Sequence, residues 1–110
     1  MIPTEHDEQR YFIQWFRLQH PDILIIAIPN GGRRSIGVAR KMKEEGVVPG
    51  VPDMYIPAWH CWIEIKRAKG GKLSHEQKSV IKYLQGIGDT VIVAAGATNA
   101  SEQVEEMRRK

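Results

Sequence analysis

Three polar side chains crowd the middle of the chain: Asp53 opens one short apolar run, and Glu64 and Lys66 lie within the next. The segments Asp53–Ile56 and His60–Lys66 are short and rich in β-branched and aromatic residues. They are separated only by Pro57-Ala58-Trp59 and read as two antiparallel strands joined by a turn. If that turn is symmetric about Ala58 and Trp59, Asp53 stands directly opposite Glu64, where Cβ atoms are about 4.5–5.5 Å apart and like charges repel. Two carboxylates so placed want a cation between them. A hard divalent ion, Mg²⁺ or Mn²⁺, accepts one or two carboxylates and keeps waters that a phosphate can displace. Alternation puts Trp62, Glu64 and Lys66 on one face of the strand and Cys61, Ile63 and Ile65 on the other. Beside such an ion the Lys66 ammonium could hold or deprotonate an attacking water, or stabilise charge on phosphoryl oxygens. Outside that setting a Glu-x-Lys triplet is an ordinary surface ion pair worth about 0–1 kcal/mol, and a longer turn or a bulge would shift the register.

The elements that must position these groups follow from periodicity and caps. Thr4 and Asp7 form a capping box ahead of Tyr11, Phe12, Trp15 and Phe16, which recur at helical spacing. Glu8 lies at the upstream end of that apolar face, where a polar residue more ordinarily turns out to solvent. Ile23–Ile28, ended by Pro29, reads as a buried strand, and Pro29-Asn30-Gly31-Gly32 as a turn. Ser35 to Glu45 is moderately helical and closed by Gly46, although Gly37 weakens the pattern. Ser74 and Gln77 form a second capping box before a helix that ends at Gly86 or Gly88. Thr90–Ala95 is a further strand, and Asn99 with Glu102 is expected to cap a last, charged helix. The order αβαββαβα, without repeat or linker, predicts a single α/β domain with a mixed central sheet flanked by helices.

Bulk properties narrow the function. The 110 residues are enough for one core and no more, and 42% apolar with 26% charged residues is globular usage. The longest unbroken apolar run has six residues, against the roughly 20 that span a bilayer. Nothing near Met1 has the apolar region of a signal peptide, so a soluble cytoplasmic protein is expected. Cys61 is the single cysteine, which excludes an intrachain disulfide and a cysteine-based zinc cage. It reads as a small buried hydrophobe. The four histidines have no metal-ligand spacing, and Trp15 and Trp59 read as core or interface; Trp62 differs because it shares the face of Glu64. Residues 33–82 carry 11 basic and 5 acidic side chains, against 5 and 8 elsewhere. That separation is compatible with a solvated lysine face and with a polyanion-binding surface. Asn30, Arg33 and Arg34, in a glycine-rich turn, and Arg67, Lys69, Lys72 and Ser74, after the Glu-x-Lys strand, are the candidate nucleic-acid contacts.

Gly50-Val51-Pro52-Asp53, Ile63-Glu64-Ile65-Lys66 and Leu73-Ser74-x-x-Gln77, in this element order, resemble the PD-(D/E)xK nuclease superfamily. Within it the chain resembles the VRR-NUC family (virus-type replication-repair nuclease), in the short stand-alone form found in phages, from Glu8 to about Ala95. The resemblance implies a restriction-endonuclease-like fold in which Asp53, Glu64 and the Ile65 carbonyl ligate Mg²⁺ or Mn²⁺ and Lys66 is the catalytic lysine. It implies that Glu8 supplies the first helix's acid, directly or through water, and that Gln77 positions Lys66 or the nucleophilic water. The implied activity is metal-dependent hydrolysis of DNA phosphodiesters, with branched DNA such as Holliday junctions as substrate and a homodimer as the working form. No membrane and no small-molecule cofactor are expected. The alternatives are a catalytically silent nucleic-acid-binding module of the same fold, and a protein acting on no nucleic acid whose basic region contacts another protein.

Overall fold

A computed structural model describes residues 2–29 and 36–110. Thr4 accepts from the Asp7 N–H, and Asp7 accepts from the Thr4 N–H, so the expected capping box starts helix α1 (Glu5–Gln19). Strand β1 (Ile26–Ala27) and helix α2 (Ile36–Glu44) follow, then β2 (Met54–Ile56), a 3₁₀ turn (Pro57–Trp59) and β3 (Cys61–Lys66). Helix α3 (His75–Gly86), strand β4 (Thr90–Ala95) and helix α4 (Ala97–Arg109) complete the order. The sheet runs β1-β2-β3-β4, with β4 parallel to β3 and the other pairs antiparallel. This is the mixed α/β architecture expected from the sequence.

The core lies on one face of the sheet. Phe12 and Phe16 of α1, with Ala100 and Val104 of α4, pack on Met54, Ile56, Ile63, Ile65, Ile92 and Ala94. Each large apolar side chain so buried contributes about 1.5–3 kcal/mol. The chain enters this arrangement through the predicted hairpin. Met54 pairs with Ile63, Tyr55 with Trp62 and Ile56 with Cys61, and the Pro57 carbonyl accepts from the His60 N–H. The pairing is symmetric about Ala58 and Trp59, and extending it by one step sets Asp53 opposite Glu64.

Two expectations are corrected. Ile23–Ile28 is not a buried strand: only Ile26 and Ala27 pair, and both are exposed. Among the described residues they form a sheet edge paired only with β2; of the run, Ile25 alone is buried, and half-buried Ile23 packs against the core. The second helix, by contrast, forms as expected and ends ahead of Gly46 (φ +98°), with no buried residue along it. The last helix begins at Ala97, two residues before the expected cap. Asn99 instead accepts from the Ala95 N–H and Gln103 donates to the Val93 carbonyl, so α4 covers backbone groups on the outer edge of β4.

One glycine is required by the packing of helix α3. Gly50 has φ +91°, and a Cβ there would come within 2.5 Å of the Glu76 carbonyl carbon and oxygen and 2.8 Å of the Gln77 nitrogen. Only a glycine lets the segment before Asp53 lie against the first turn of α3. Gly50→Ala is therefore expected to lower stability by roughly 2 kcal/mol or more, from a left-handed φ combined with a backbone clash. A denaturant or thermal melt checks this; a variant as stable as the parent would show that α3 is not held there.

Candidate active site

Glu64 sits in the middle of β3 with only 2% of its surface exposed. Parity turns its side chain away from the Ile63/Ile65 core, towards the face on which Gln77 of α3 lies. There the Gln77 amide nitrogen donates to Glu64 Oε2 at 3.2 Å, and Lys66 Nζ stands 3.6 Å from the same oxygen. The other oxygen, Oε1, is buried with no hydrogen-bond partner among the described residues. A buried carboxylate oxygen left in this way is costly unless something else satisfies it.

Asp53 closes the site from the end of β2. Its Oδ2 accepts from the Ile65 N–H at 2.9 Å, and its carbonyl accepts from the Ile28 N–H. The carboxylate thus replaces a rung of the ladder at Ile65, two residues beyond the last pair, Met54 with Ile63. Burial, then the negative charge of Asp53 beside it, push the Glu64 carboxyl up to about 8, against the opposing pull of Lys66. Glu5, in the first turn of α1, adds a smaller push in the same direction.

Gln77 is fixed at both ends. Its Oε1 accepts from the Ser74 N–H at 2.8 Å while Ser74 Oγ accepts from the Gln77 N–H, so the capping box that starts α3 also orients the amide nitrogen towards Glu64. The resemblance implied contact with Lys66 or a water, whereas here the amide holds a carboxylate. Lys66 ends β3, and its side chain is 13% exposed. The loop after it folds back so closely that a Cβ on Gly71 would lie 2.7 Å from the Lys66 Cβ.

The remaining sequence candidates fall into three groups. Arg67, Lys69 and Lys72 are exposed on the loop between β3 and α3, beside a cavity of about 240 Å³ that Lys66 helps to line. Asn30, Arg33 and Arg34 lie outside the described residues. Glu8 is 93% buried, but its Oε1 accepts from the Ala97 N–H at 3.1 Å and its Oε2 lies against Gly96. It therefore supplies the N-terminal acceptor that α4 lacks locally and makes no hydrogen bond to Asp53, Glu64 or Lys66. Sequence reading passed over Glu5; the available signal was its place among three acids of the same first turn, three residues before Glu8.

Two carboxylates, one with a buried unpaired oxygen, and backbone from the same strand suit a hard cation that brings its own waters. Among the described residues no three His, Cys, Asp or Glu side chains gather into a metal cage. A structural zinc centre is not what these residues would build; an open site completed by water and substrate oxygens fits them. Cys61 is far from such chemistry: it is on the core face, and burial pushes its thiol up to about 11.

No family model and no curated protein matches the chain. Among solved structures, a VRR_NUC domain protein matches with a TM-score of 0.78 and 26% identity, over 96% of this chain and 88% of that one. Together with the aspartate, glutamate and lysine on adjoining strands, the likeness defines a nuclease-type α/β domain. This likeness supports kinship with VRR-NUC domain proteins.

The raised Glu64 carboxyl gives a stability signature. Its folded value exceeds the ordinary 4.5, so its contribution is complete below that pH and is lost as pH rises towards about 8. Metal-free protein is expected to melt at progressively lower temperature across that window. Mn²⁺ should restore the loss at the alkaline end, and Glu64→Gln should flatten the dependence. Thermal melts against pH in EDTA and in Mn²⁺ check this; identical slopes in the parent and Glu64→Gln would remove Glu64 as the group responsible.

Proposed function

We propose that this protein is a metal-dependent endodeoxyribonuclease that hydrolyses phosphodiester bonds at the Asp53–Glu64–Lys66 site. The observation that carries the reading is the unsatisfied Oε1 of Glu64, buried beside Asp53 on a carboxylate whose other oxygen lies 3.6 Å from Lys66 Nζ. More ordinary surface pairs do not bury a carboxylate and leave half of it without a partner. When bound, Mg²⁺ or Mn²⁺ would supply positive charge to the phosphoryl oxygens and acidify a water.

The chain's own groups have distinct tasks in this scheme. Asp53 and Glu64 would hold the cation, with the Ile65 carbonyl on the Asp53 side of β3. Gln77 keeps Glu64 in one rotamer through its bond to Oε2, which leaves Oε1 for ligation. Lys66 would hold the attacking water or stabilise the charge that builds on the phosphoryl oxygens. The water oxygen forms the new bond to phosphorus, the bond to one sugar oxygen breaks, and that oxygen leaves with a proton. Glu8 would act at one remove: by anchoring α4 behind the ends of β3 and β4 it steadies the strand end that carries Lys66, whose carbonyl accepts from the Gly96 N–H.

Arg67, Lys69 and Lys72, joined by Asn30, Arg33, Arg34 and the Ser74 hydroxyl, would hold the phosphate backbone on either side of the cut. One chain offers one such site, so symmetric cleavage of two strands in branched DNA would be met by a homodimer. No helix among the described residues is long and apolar enough to cross a membrane.

The test is cleavage of junction, flap, duplex and single-stranded DNA with Mg²⁺, Mn²⁺ or EDTA. Asp53→Ala, Glu64→Ala and Lys66→Ala are each expected to reduce cleavage at least a thousandfold while the protein stays folded by circular dichroism. Full activity in Glu64→Ala would overturn the mechanism. Tight, salt-sensitive binding in EDTA without cleavage under any metal would instead identify a silent binding module.

A further inference from the structure

We propose that Tyr55 and Trp62 form an aromatic shelf that receives one unpaired nucleobase next to the cleaved phosphate. This rests on the nuclease reading above and adds a specificity element to it. On the face that carries Glu64, the strand register lays side chains in rows across the sheet. Asp53, Glu64 and Val93 form one row; Ile26, Tyr55, Trp62 and Val91 form the next. The two rows are two residues apart along each strand, about 6.5 Å, which is the scale of the reach from a nucleotide's phosphate to its own base.

The aromatic pair is held in a way that core packing alone does not require. The ring centroids are 4.2 Å apart, and the planes are inclined by 36°. Trp62 Nε1 donates to Asp89 Oδ2 at 2.9 Å, and the Tyr55 hydroxyl lies 3.5 Å from His60 Nδ1, a residue in the left-handed region. The indole edge is thus tied down at the rim, and the stacked pair loses little freedom when a third ring arrives. Neither ring is fully buried, and Ile26 beside them is 39% exposed. The opposite face of the sheet is filled by α1 and α4, and α3 lies over the β4 side of this one. Among the described residues no helix buries itself on the β1–β2 side, since nothing in α2 is buried. An apolar, aromatic strip therefore borders the two carboxylates.

A nucleobase is the occupant that matches this strip. Every base presents a π-face, and stacking on an aromatic side chain strengthens binding by about five- to 150-fold per base. A base inside a duplex is not available, because it must first leave its own stack. The shelf therefore selects DNA in which a nucleotide beside the cut is already unpaired, as at a flap, a bubble or a strand-exchange point. Stacking is tolerant of sequence, so the preference would be for structure rather than for a particular base.

The experiment uses the full chain and a flap DNA with one flanking unpaired nucleotide, either normal, abasic or 2-aminopurine. Binding is read in EDTA and cleavage in Mg²⁺. With wild-type protein, 2-aminopurine fluorescence should be quenched at the flanking position and not several nucleotides away. The abasic site should weaken binding about tenfold, within the range expected for one stacked base. Tyr55→Leu should weaken binding of normal DNA by a similar factor and be indifferent to the abasic site, while Tyr55→Phe should restore both behaviours. Wild-type protein that binds normal and abasic DNA equally, with no quenching, would overturn the shelf, and it needs no variant to fold. If DNA is then still cleaved in Mg²⁺, the nuclease reading survives. If position-specific quenching occurs without cleavage under any metal, the shelf stands and the nuclease reading fails.

Discussion

The structure is organised around a buried carboxylate. Glu64 occupies a sheet position that would ordinarily be apolar, with a second carboxylate beside it, and the fold compensates only in part. One oxygen is given an amide and an ammonium, while the other is given no donor among the described residues. A protein optimised for stability alone would place a valine there. The arrangement makes physical sense when the missing partner is a ligand, so that stability is withheld from the free protein and recovered on binding.

Each supporting element answers to that constraint. Helix α3 brings Gln77 to Glu64, and it is able to approach because Gly50, just ahead of Asp53, has no side chain to meet its first turn. The capping box of α3 therefore does two jobs: it starts the helix and orients the amide that points into the site. On the other face, α1 and α4 bury the apolar side of β3, and Glu8 joins these two helices through the Ala97 N–H. The carboxylate pair is held between a rigid core on one side and a helix start on the other, which is what positioning to within a fraction of an ångström requires.

The rows of side chains across the sheet give the active face a direction. Basic residues follow the strand end at Lys66, carboxylates occupy the middle row, and aromatics occupy the row beyond. Phosphate, cation and base would thus meet successive rows of one pleated surface, and the period of the strand sets their spacing. The cavity of about 790 Å³ along β4 and α4 contains none of these groups, so size alone is a poor guide to where the chemistry lies here.

By itself the sequence determined whatever depends on near neighbours. Both capping boxes, the element order, the symmetric turn and the face shared by Trp62, Glu64 and Lys66 follow from spacing along the chain, because helix and strand periods are local properties of the backbone. Tertiary structure decided what depends on contacts between distant segments. The run at 23–28 looked like an interior strand, since hydropathy does not say whether a strand has one neighbour or two. Helix α4 starts at Ala97 because the acceptor for its first N–H comes from Glu8, 89 positions away. Gln77 turned to Glu64, and Glu5 came near enough for its charge to be felt there, because burial and electrostatics act through space. No local pattern encodes those distances.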